Sequence, residues 1–179
     1  MTNEEQRALE IKDLIQANKK ELQKLINKDF GDGLSDAEYF SVLYSAGSAQ
    51  KYATFIEQRH IKQVGGTRVH ASLDKGDYKI GDTYFEFKYT TDNKFLQIRD
   101  WQEVHYKLMS VNMKTTPISI SYYELTKEQM TKELIGACPT HKVKHAVQDG
   151  EKVEKTLRLT KSKLAAWDKL YKVDSFTKE

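Results

Sequence analysis

Three charged side chains in the middle of the chain have the types and spacing of a metal-assisted reaction centre. Asp77 comes before a two-residue loop, Gly81-Asp82, and Glu86 and Lys88 follow that loop. If the loop closes a β-hairpin, Asp77 faces Glu86 on the neighbouring strand, with Cβ atoms about 4.5–5.5 Å apart. Two carboxylates at that distance repel each other unless a cation lies between them, and Mg²⁺ prefers oxygen ligands. The spacing therefore predicts a Mg²⁺ site with the Lys88 ammonium beside it.

Metal-assisted hydrolysis of a phosphodiester needs this combination of groups. The carboxylates hold the ion, the ion polarises the phosphate and acidifies water, and Lys88 touches the phosphate or orients the attacking water. Apolar residues alternate with the charged ones and are expected on the reverse face of the hairpin: Tyr78, Ile80, Phe85, Phe87 and Tyr89. An alternative stays open, because an amphipathic hairpin with a solvated face often carries Glu-x-Lys, and Asp opposite Glu can be an accident of register.

The pattern Asp77…Glu86-Phe87-Lys88, with Gly76 before the aspartate, resembles the PD-(D/E)XK nuclease superfamily, which includes many type II restriction endonucleases. The resemblance lies in motif and element order over roughly residues 48–125. It implies an α/β fold with a central mixed β-sheet flanked by helices, and Mg²⁺-dependent DNA cleavage in which Mn²⁺ substitutes. It makes Asp77 and Glu86 the metal ligands and Lys88 the catalytic lysine. Gly76 is a departure, since the family pattern has Pro there.

Many members of this superfamily add an acidic residue from the preceding helix. Glu57 is the only carboxylate between Gly47 and Asp74, so the resemblance implies Glu57 as a further metal ligand. The alternative is a helix glutamate that pairs with Arg59 or Lys62 on its own helix.

A second element of the resemblance follows the lysine strand. Gln102-x-x-x-Tyr106 is similar to a Gln-x-x-x-Tyr element in one branch of these nucleases. A helix predicted over residues 97–113 would place both side chains on one face, because residues four apart lie one turn above each other. Gln102 and Tyr106 are therefore expected as accessory residues of the site.

Hydrophobic periodicity and capping patterns predict the elements that position these groups. Helices are predicted over residues 4–28, 35–47, 48–63, 97–113, 126–137 and 160–172, and strands over residues 67–71, 77–80, 83–91, 117–125, 142–147 and 153–159. Ser35 with Glu38 and Thr126 with Gln129 have the spacing of capping boxes.

The chain of 179 residues has only two Pro and nine Gly, and neither a linker nor an internal repeat is evident. These features predict one nuclease domain over residues 1–179, with an N-terminal helical region (1–47), a catalytic core (48–125) and a basic C-terminal region (126–179). The absence of a long apolar run and the single cysteine predict a cytoplasmic protein without membrane contact. No phosphate-binding loop or dinucleotide fingerprint occurs, so no nucleotide cofactor is expected.

Charge is distributed unevenly and suggests where a polyanion would bind. Residues 1–47 carry a net charge of −3, whereas residues 141–172 carry +5. A basic segment of this kind is typical of a nucleic-acid contact surface, although a solvated lysine-rich surface is the alternative. The residues expected to contact double-stranded DNA are Arg68, Lys142, Lys144, Arg158, Lys161 and Lys163.

The sequence therefore favours a Mg²⁺-dependent DNA endonuclease, most simply a type II restriction enzyme. A homodimer is expected, because cutting both strands needs two sites and a chain of this size carries one. The alternatives are a phage or repair nuclease, a catalytically inactive DNA-binding module of the same fold, and a protein-interaction domain that docks through its N-terminal helix.

Overall fold

The computed structural model describes residues 2–17, 19–27, 30–70, 73–99, 101–139 and 154–176. The chain divides into two compact units. The first comprises Met1–Gln63 and Val111–Ile120, and the second comprises Val64–Ser110 and Ser121–Glu179. The prediction of a single domain stays a prediction.

Helices dominate the first unit. They are α1 (Asn3–Ala17), α2 (Lys19–Asn27), α3 (Asp36–Ala46) and α4 (Tyr52–Val64), with one turn of 3₁₀ helix over Ala49–Lys51 before α4. The region predicted as one helix over residues 4–28 contains two, and both pack against α3. The predicted capping box is confirmed, because the Ser35 side chain accepts from the Glu38 amide and the Glu38 side chain accepts from the Ser35 amide.

A buried arginine ties α4 to the turn before α3. The Arg59 guanidinium donates to the carbonyls of Phe30, Gly31 and Leu34 at 2.8, 2.9 and 2.5 Å. Its Nε also donates to Asp36 Oδ1 at 3.1 Å. Charge-assisted hydrogen bonds to otherwise unsatisfied carbonyls explain how a turn without regular structure is held in one conformation.

A mixed six-stranded β-sheet has the strand order β1-β2-β3-β5-β6-β9. Its strands are β1 (Thr67–Arg68), β2 (Tyr78–Ile80), β3 (Thr83–Thr90), β5 (His105–Asn112), β6 (Ser119–Leu125) and β9 (Lys172–Val173). Strands β3 and β5 are parallel, whereas β2 and β3 are antiparallel. The predicted α/β class with a mixed central sheet is therefore confirmed.

A second, three-stranded sheet and two helices complete the second unit. The strands are β4 (Lys94–Ile98), β7 (Cys138–Pro139) and β8 (Lys155–Arg158), in the order β4-β8-β7. Helices α5 (Lys127–Glu133) and α6 (Lys161–Leu170) begin after Thr126 and Thr160, and the capping box at Thr126 is confirmed. Both sheets and both helices contribute to one buried apolar cluster: Phe95, Ile98, Val104, Tyr106, Leu108, Tyr123, Leu125, Met130, Leu134, Leu157, Leu159 and Trp167.

The helix predicted over residues 97–113 is wrong, because this region contains the end of β4, a turn and strand β5. Four consecutive residues of β5, from Tyr106 to Met109, are buried. A parallel strand covered on both faces has a continuous buried run instead of the alternation of a half-exposed strand, and such a run resembles a buried helix in sequence. The predicted strand over residues 142–147 lies outside the described residues. None of the described helices is long and apolar enough to cross a membrane.

Candidate active site

The hairpin that carries the predicted site has the expected register. Strands β2 and β3 pair through Tyr78 with Phe85, Lys79 with Tyr84, and Ile80 with Thr83. The loop is therefore Gly81-Asp82, as predicted. Residues Glu86 and Lys88, two apart on β3, lie on the same face of the sheet.

Asp77 departs from the predicted pairing. Its backbone amide donates to the carbonyl of Phe85 at 2.8 Å, although Phe85 is the register partner of Tyr78. Two successive residues thus oppose one, as in a β-bulge, and Asp77 is not the direct cross-strand partner of Glu86. The Asp77 carboxylate instead accepts a hydrogen bond from the Phe87 amide through Oδ2, at 2.8 Å. This bond holds the carboxylate against β3, beside Glu86.

Gly76 makes this arrangement possible. Its φ is +78°, and a Cβ atom at this position would lie 2.5 Å from the carbonyl oxygen of Phe85. Proline, whose φ is fixed near −65°, cannot adopt such a backbone conformation. Proline at position 76 would therefore be incompatible with the bulge that positions Asp77.

Glu86 is buried, which excludes a solvated face at this position. Only 4 % of the residue is exposed, and Glu86 Oε1 lies 2.5 Å from Lys88 Nζ. Burial raises the pKa of the Glu86 carboxyl above its ordinary value, against the opposing charge of Lys88, and the nearby Asp77 carboxylate adds to the increase. Glu86 and Lys88 therefore influence each other's ionisation, and the charge of Asp77 acts on both.

Lys88 is held as a cation by these carboxylates. Its side chain is 24 % exposed. Burial by itself would lower the pKa of Lys88, but the charges of Glu86 and Asp77 and the hydrogen bond to Glu86 outweigh it and raise the pKa. Lys88 is thus fully protonated near neutral pH.

The structure adds two residues that the sequence analysis missed. Arg99, after strand β4, donates through Nε to Glu154 Oε1 at 2.7 Å. Burial alone would lower the pKa of Arg99, but its hydrogen bond and ion pair with Glu154 raise it, and the charge of Glu86 contributes in the same direction. Arg99 and Glu154 are 55 positions apart and belong to no local motif, so the sequence contains no signal for this pair.

Gln102 and Tyr106, the predicted accessory residues, do not lie on a helix. Both nevertheless donate a hydrogen bond to the carbonyl oxygen of Arg99. Tyr106 is the register partner of Glu86 across β3 and β5, and its hydroxyl donates to the Arg99 carbonyl at 2.9 Å. The backbone amide of Gln102 donates to that carbonyl at 3.2 Å, and its side chain donates to Asp74 Oδ1 at 2.8 Å. The two residues therefore fix the turn that carries Arg99.

The predicted DNA contacts are distributed over several elements. Arg68 on β1, Arg158 at the end of β8 and Lys161 in the first turn of α6 are exposed.

The other three predicted DNA contacts are not exposed in this way or are not described. Lys163 is half-buried, and its Nζ lies 2.9 Å from the carbonyl oxygen and 3.0 Å from the Oε2 of Glu133. Lys163 is therefore engaged within its own unit. Lys142 and Lys144 lie outside the described residues.

The predicted metal ligands are divided between the two compact units. Glu57 lies on α4 in the first unit, whereas Asp77 and Glu86 lie in the second. The role of Glu57 stays a prediction. Within the described part of the chain, no group of three or more His, Cys, Asp or Glu side chains is arranged to hold a metal ion.

Comparison with family models, curated proteins and solved structures finds no match to this chain.

Proposed function

We propose that this protein is a Mg²⁺-dependent DNA endonuclease with a restriction-endonuclease-like fold, acting in the cytoplasm as a homodimeric type II restriction enzyme. The observation that carries the proposal is the burial of Glu86 beside Lys88 and Asp77. A Glu and a Lys two residues apart on a solvated strand are weak evidence for a functional site, because this spacing is common. A buried charged pair next to a second carboxylate is uncommon and is therefore stronger evidence.

Energetics supports a functional role for this group. Transferring two charges out of water costs several kcal/mol per ion, and well-packed apolar residues often replace a buried ion pair without loss of stability. The apolar residues that line the same face of β5, Tyr106 and Leu108, show that such packing is available there. Groups with perturbed ionisation of this kind are concentrated at functional sites.

The donor set fits Mg²⁺. Asp77 Oδ2 and Glu86 Oε1 are engaged by the Phe87 amide and by Lys88, and within the described residues the other oxygen of each carboxylate has no hydrogen bond. Magnesium is commonly bound by one or two carboxylates together with waters and substrate phosphates. A site with two carboxylates is therefore sufficient.

Each residue has a distinct role in the proposed reaction. The metal ion, when bound, polarises the phosphate and acidifies a water molecule. Asp77 and Glu86 hold the ion, and the Lys88 ammonium offsets the negative charge that develops on the phosphate. The proposed contacts to the DNA backbone are made by basic side chains, among them the exposed Arg68, Arg158 and Lys161.

Incubation of supercoiled plasmid with the purified protein tests the proposal. Products are expected with Mg²⁺ or Mn²⁺ and not with EDTA. Asp77→Asn, Glu86→Gln and Lys88→Met are each expected to lower the cleavage rate by about 100-fold or more. Circular dichroism and a thermal melt establish that each variant is folded.

A matched control lies further along the same chain. Asp92 and Lys94 have the same two-residue spacing and pair at 3.4 Å, but their side chains are 61 % and 40 % exposed. Asp92→Asn and Lys94→Met should cut at close to the parental rate. Salt-sensitive DNA binding without metal-dependent products would instead identify an inactive DNA-binding module, and parental cleavage by folded Glu86→Gln would disprove the site.

A further inference from the structure

The Arg99 guanidinium is fixed along one edge and open along the other. Its Nε is bound by Glu154, and within the described residues its two terminal NH₂ groups make no hydrogen bond. The side chain is 39 % exposed, whereas Glu154 is only 3 % exposed. The contact therefore orients the guanidinium without covering it.

The backbone of Arg99 is also fixed. Its carbonyl accepts from the Tyr106 hydroxyl and from the Gln102 amide. Ile98, which comes directly before it, is fully buried in the apolar cluster. A guanidinium with both its backbone and its Nε anchored loses little conformational entropy when it binds a ligand.

Arg99 lies on the same side of the sheet as Glu86 and Lys88, as the contacts of Tyr106 show. Tyr106 is the register partner of Glu86, and paired residues on neighbouring strands project to the same face of a sheet. The Tyr106 hydroxyl, at the far end of that side chain, contacts the Arg99 carbonyl. Arg99 therefore lies over the face of the sheet that carries Glu86 and Lys88, and its charge acts on both residues.

From this geometry we infer that Arg99 binds a phosphate group through its terminal NH₂ groups, with Glu154 as the positioning residue. The planar guanidinium suits two parallel hydrogen bonds to phosphate oxygens, which a lysine ammonium cannot reproduce. Structural pairs of arginine and carboxylate frequently use two guanidinium nitrogens, whereas Glu154 binds only the Nε of Arg99. The inference rests on the proposed function, because the phosphate in question is that of the DNA strand beside Lys88.

The test measures binding and cleavage separately. Binding of a short fluorescent duplex is followed by anisotropy in EDTA over a range of salt concentrations, and cleavage is followed with Mg²⁺. Arg99→Met should weaken binding by about 10- to 100-fold and reduce the slope of log affinity against log salt by about one. Arg99→Lys keeps a cation opposite Glu154 but loses the two-point contact, and an intermediate loss of affinity is expected.

A matched arginine and a second variant control for folding and for charge. Arg7, in the first unit, also pairs with a glutamate, Glu38, and its side chain is 61 % exposed. Arg7→Met removes the same charge and should leave affinity and salt slope unchanged. Glu154→Gln retains Arg99 but loosens its orientation, so the KM for cleavage should rise more than kcat falls while the salt slope stays parental.

The outcomes separate this inference from the proposed function. Parental affinity and salt slope in folded Arg99→Met overturn the inference, whether or not the protein cuts DNA. Binding that depends on Arg99 without any metal-dependent product overturns the nuclease proposal and supports the phosphate site. A wild-type protein that neither binds nor cuts DNA overturns both.

Discussion

Glu86 and Lys88 form an ion pair along a single strand, with 2.5 Å between carboxylate oxygen and ammonium nitrogen, in a position where the glutamate is almost fully buried. Asp92, in the turn before β4, and Lys94, the first residue of β4, have the same spacing, but their side chains are 61 % and 40 % exposed. The two pairs therefore have the same acidic-x-Lys spacing and differ in burial. The exposed pair serves as the control for effects that depend on the burial of Glu86.

Lys88→Met should destabilise the protein by up to about 3 kcal/mol, because it leaves the buried Glu86 carboxylate without its counter-charge. Urea unfolding measures the change. Glu86→Gln combined with Lys88→Met should recover much of the loss, because neither charge then remains buried. Lys94→Met, at the exposed pair, should change the free energy of unfolding by less than about 1 kcal/mol. Equal effects of Lys88→Met and Lys94→Met would contradict the burial argument.

Gly76→Ala should destabilise the protein by at least about 2 kcal/mol, because the new Cβ meets the Phe85 carbonyl in addition to the cost of a positive φ. Gly81→Ala is the matched control: its φ is +57°, but a Cβ atom added there would have no neighbour within 4 Å. Only the backbone cost of about 1 kcal/mol is expected there. Thermal melts of both variants compare the two costs, and a larger loss at Gly81 would contradict the role assigned to the bulge.

Tyr39→Phe should be neutral or stabilising near neutral pH. The Tyr39 hydroxyl is buried without a hydrogen-bond partner among the described residues. Burial raises the pKa of Tyr39 to about 12, opposed by the charge of Arg59. Removing an unsatisfied buried hydroxyl relieves a desolvation cost of about 1 kcal/mol or more.

The same variant should be less sensitive to alkali. Below about pH 10 Tyr39 is protonated in both the folded and the unfolded chain, so it contributes no pH dependence. Between about pH 10 and 12 only the unfolded chain loses this proton, and stability falls by at most about 1.4 kcal/mol per pH unit. Urea unfolding at two alkaline pH values should show a shallower decline for Tyr39→Phe. An unchanged slope would mean that Tyr39 ionises normally.

Arg59→Lys should destabilise the first unit by about 3 kcal/mol or more, because an ammonium cannot serve three carbonyls and Asp36 at once. Lys62→Met, on the same helix at an exposed ion pair with Asp32, should cost less than about 1 kcal/mol. Limited proteolysis around residues 30–35 reports the local effect. Similar protection in both variants would contradict the structural role of Arg59.

Local signals in the sequence predicted most of the correct elements. The capping boxes at Ser35 and Thr126, and the register set by Gly81-Asp82, depend on residues within a few positions of one another. Strand β5 was missed because its burial on both faces removes the alternation that identifies a strand.

The candidate site was only partly predictable for a similar reason. Glu86 and Lys88 are two residues apart, so their common face follows from strand geometry alone. Arg99 meets Glu154 only through the pairing of β4 with β8, and no local pattern records that pairing. The bulge at Asp77 depends on the left-handed backbone of Gly76, which a glycine permits but does not require.

The hydrogen bond from the Phe87 amide to Asp77 Oδ2 gives the Asp77 side chain a structural role beside its proposed role as a metal ligand. Asparagine in place of Asp77 would keep an oxygen for that amide while abolishing the negative charge, whereas alanine would remove both. Asp77→Asn would therefore remove the proposed metal site and keep the fold, whereas an apolar residue at position 77 would leave the Phe87 amide without its acceptor.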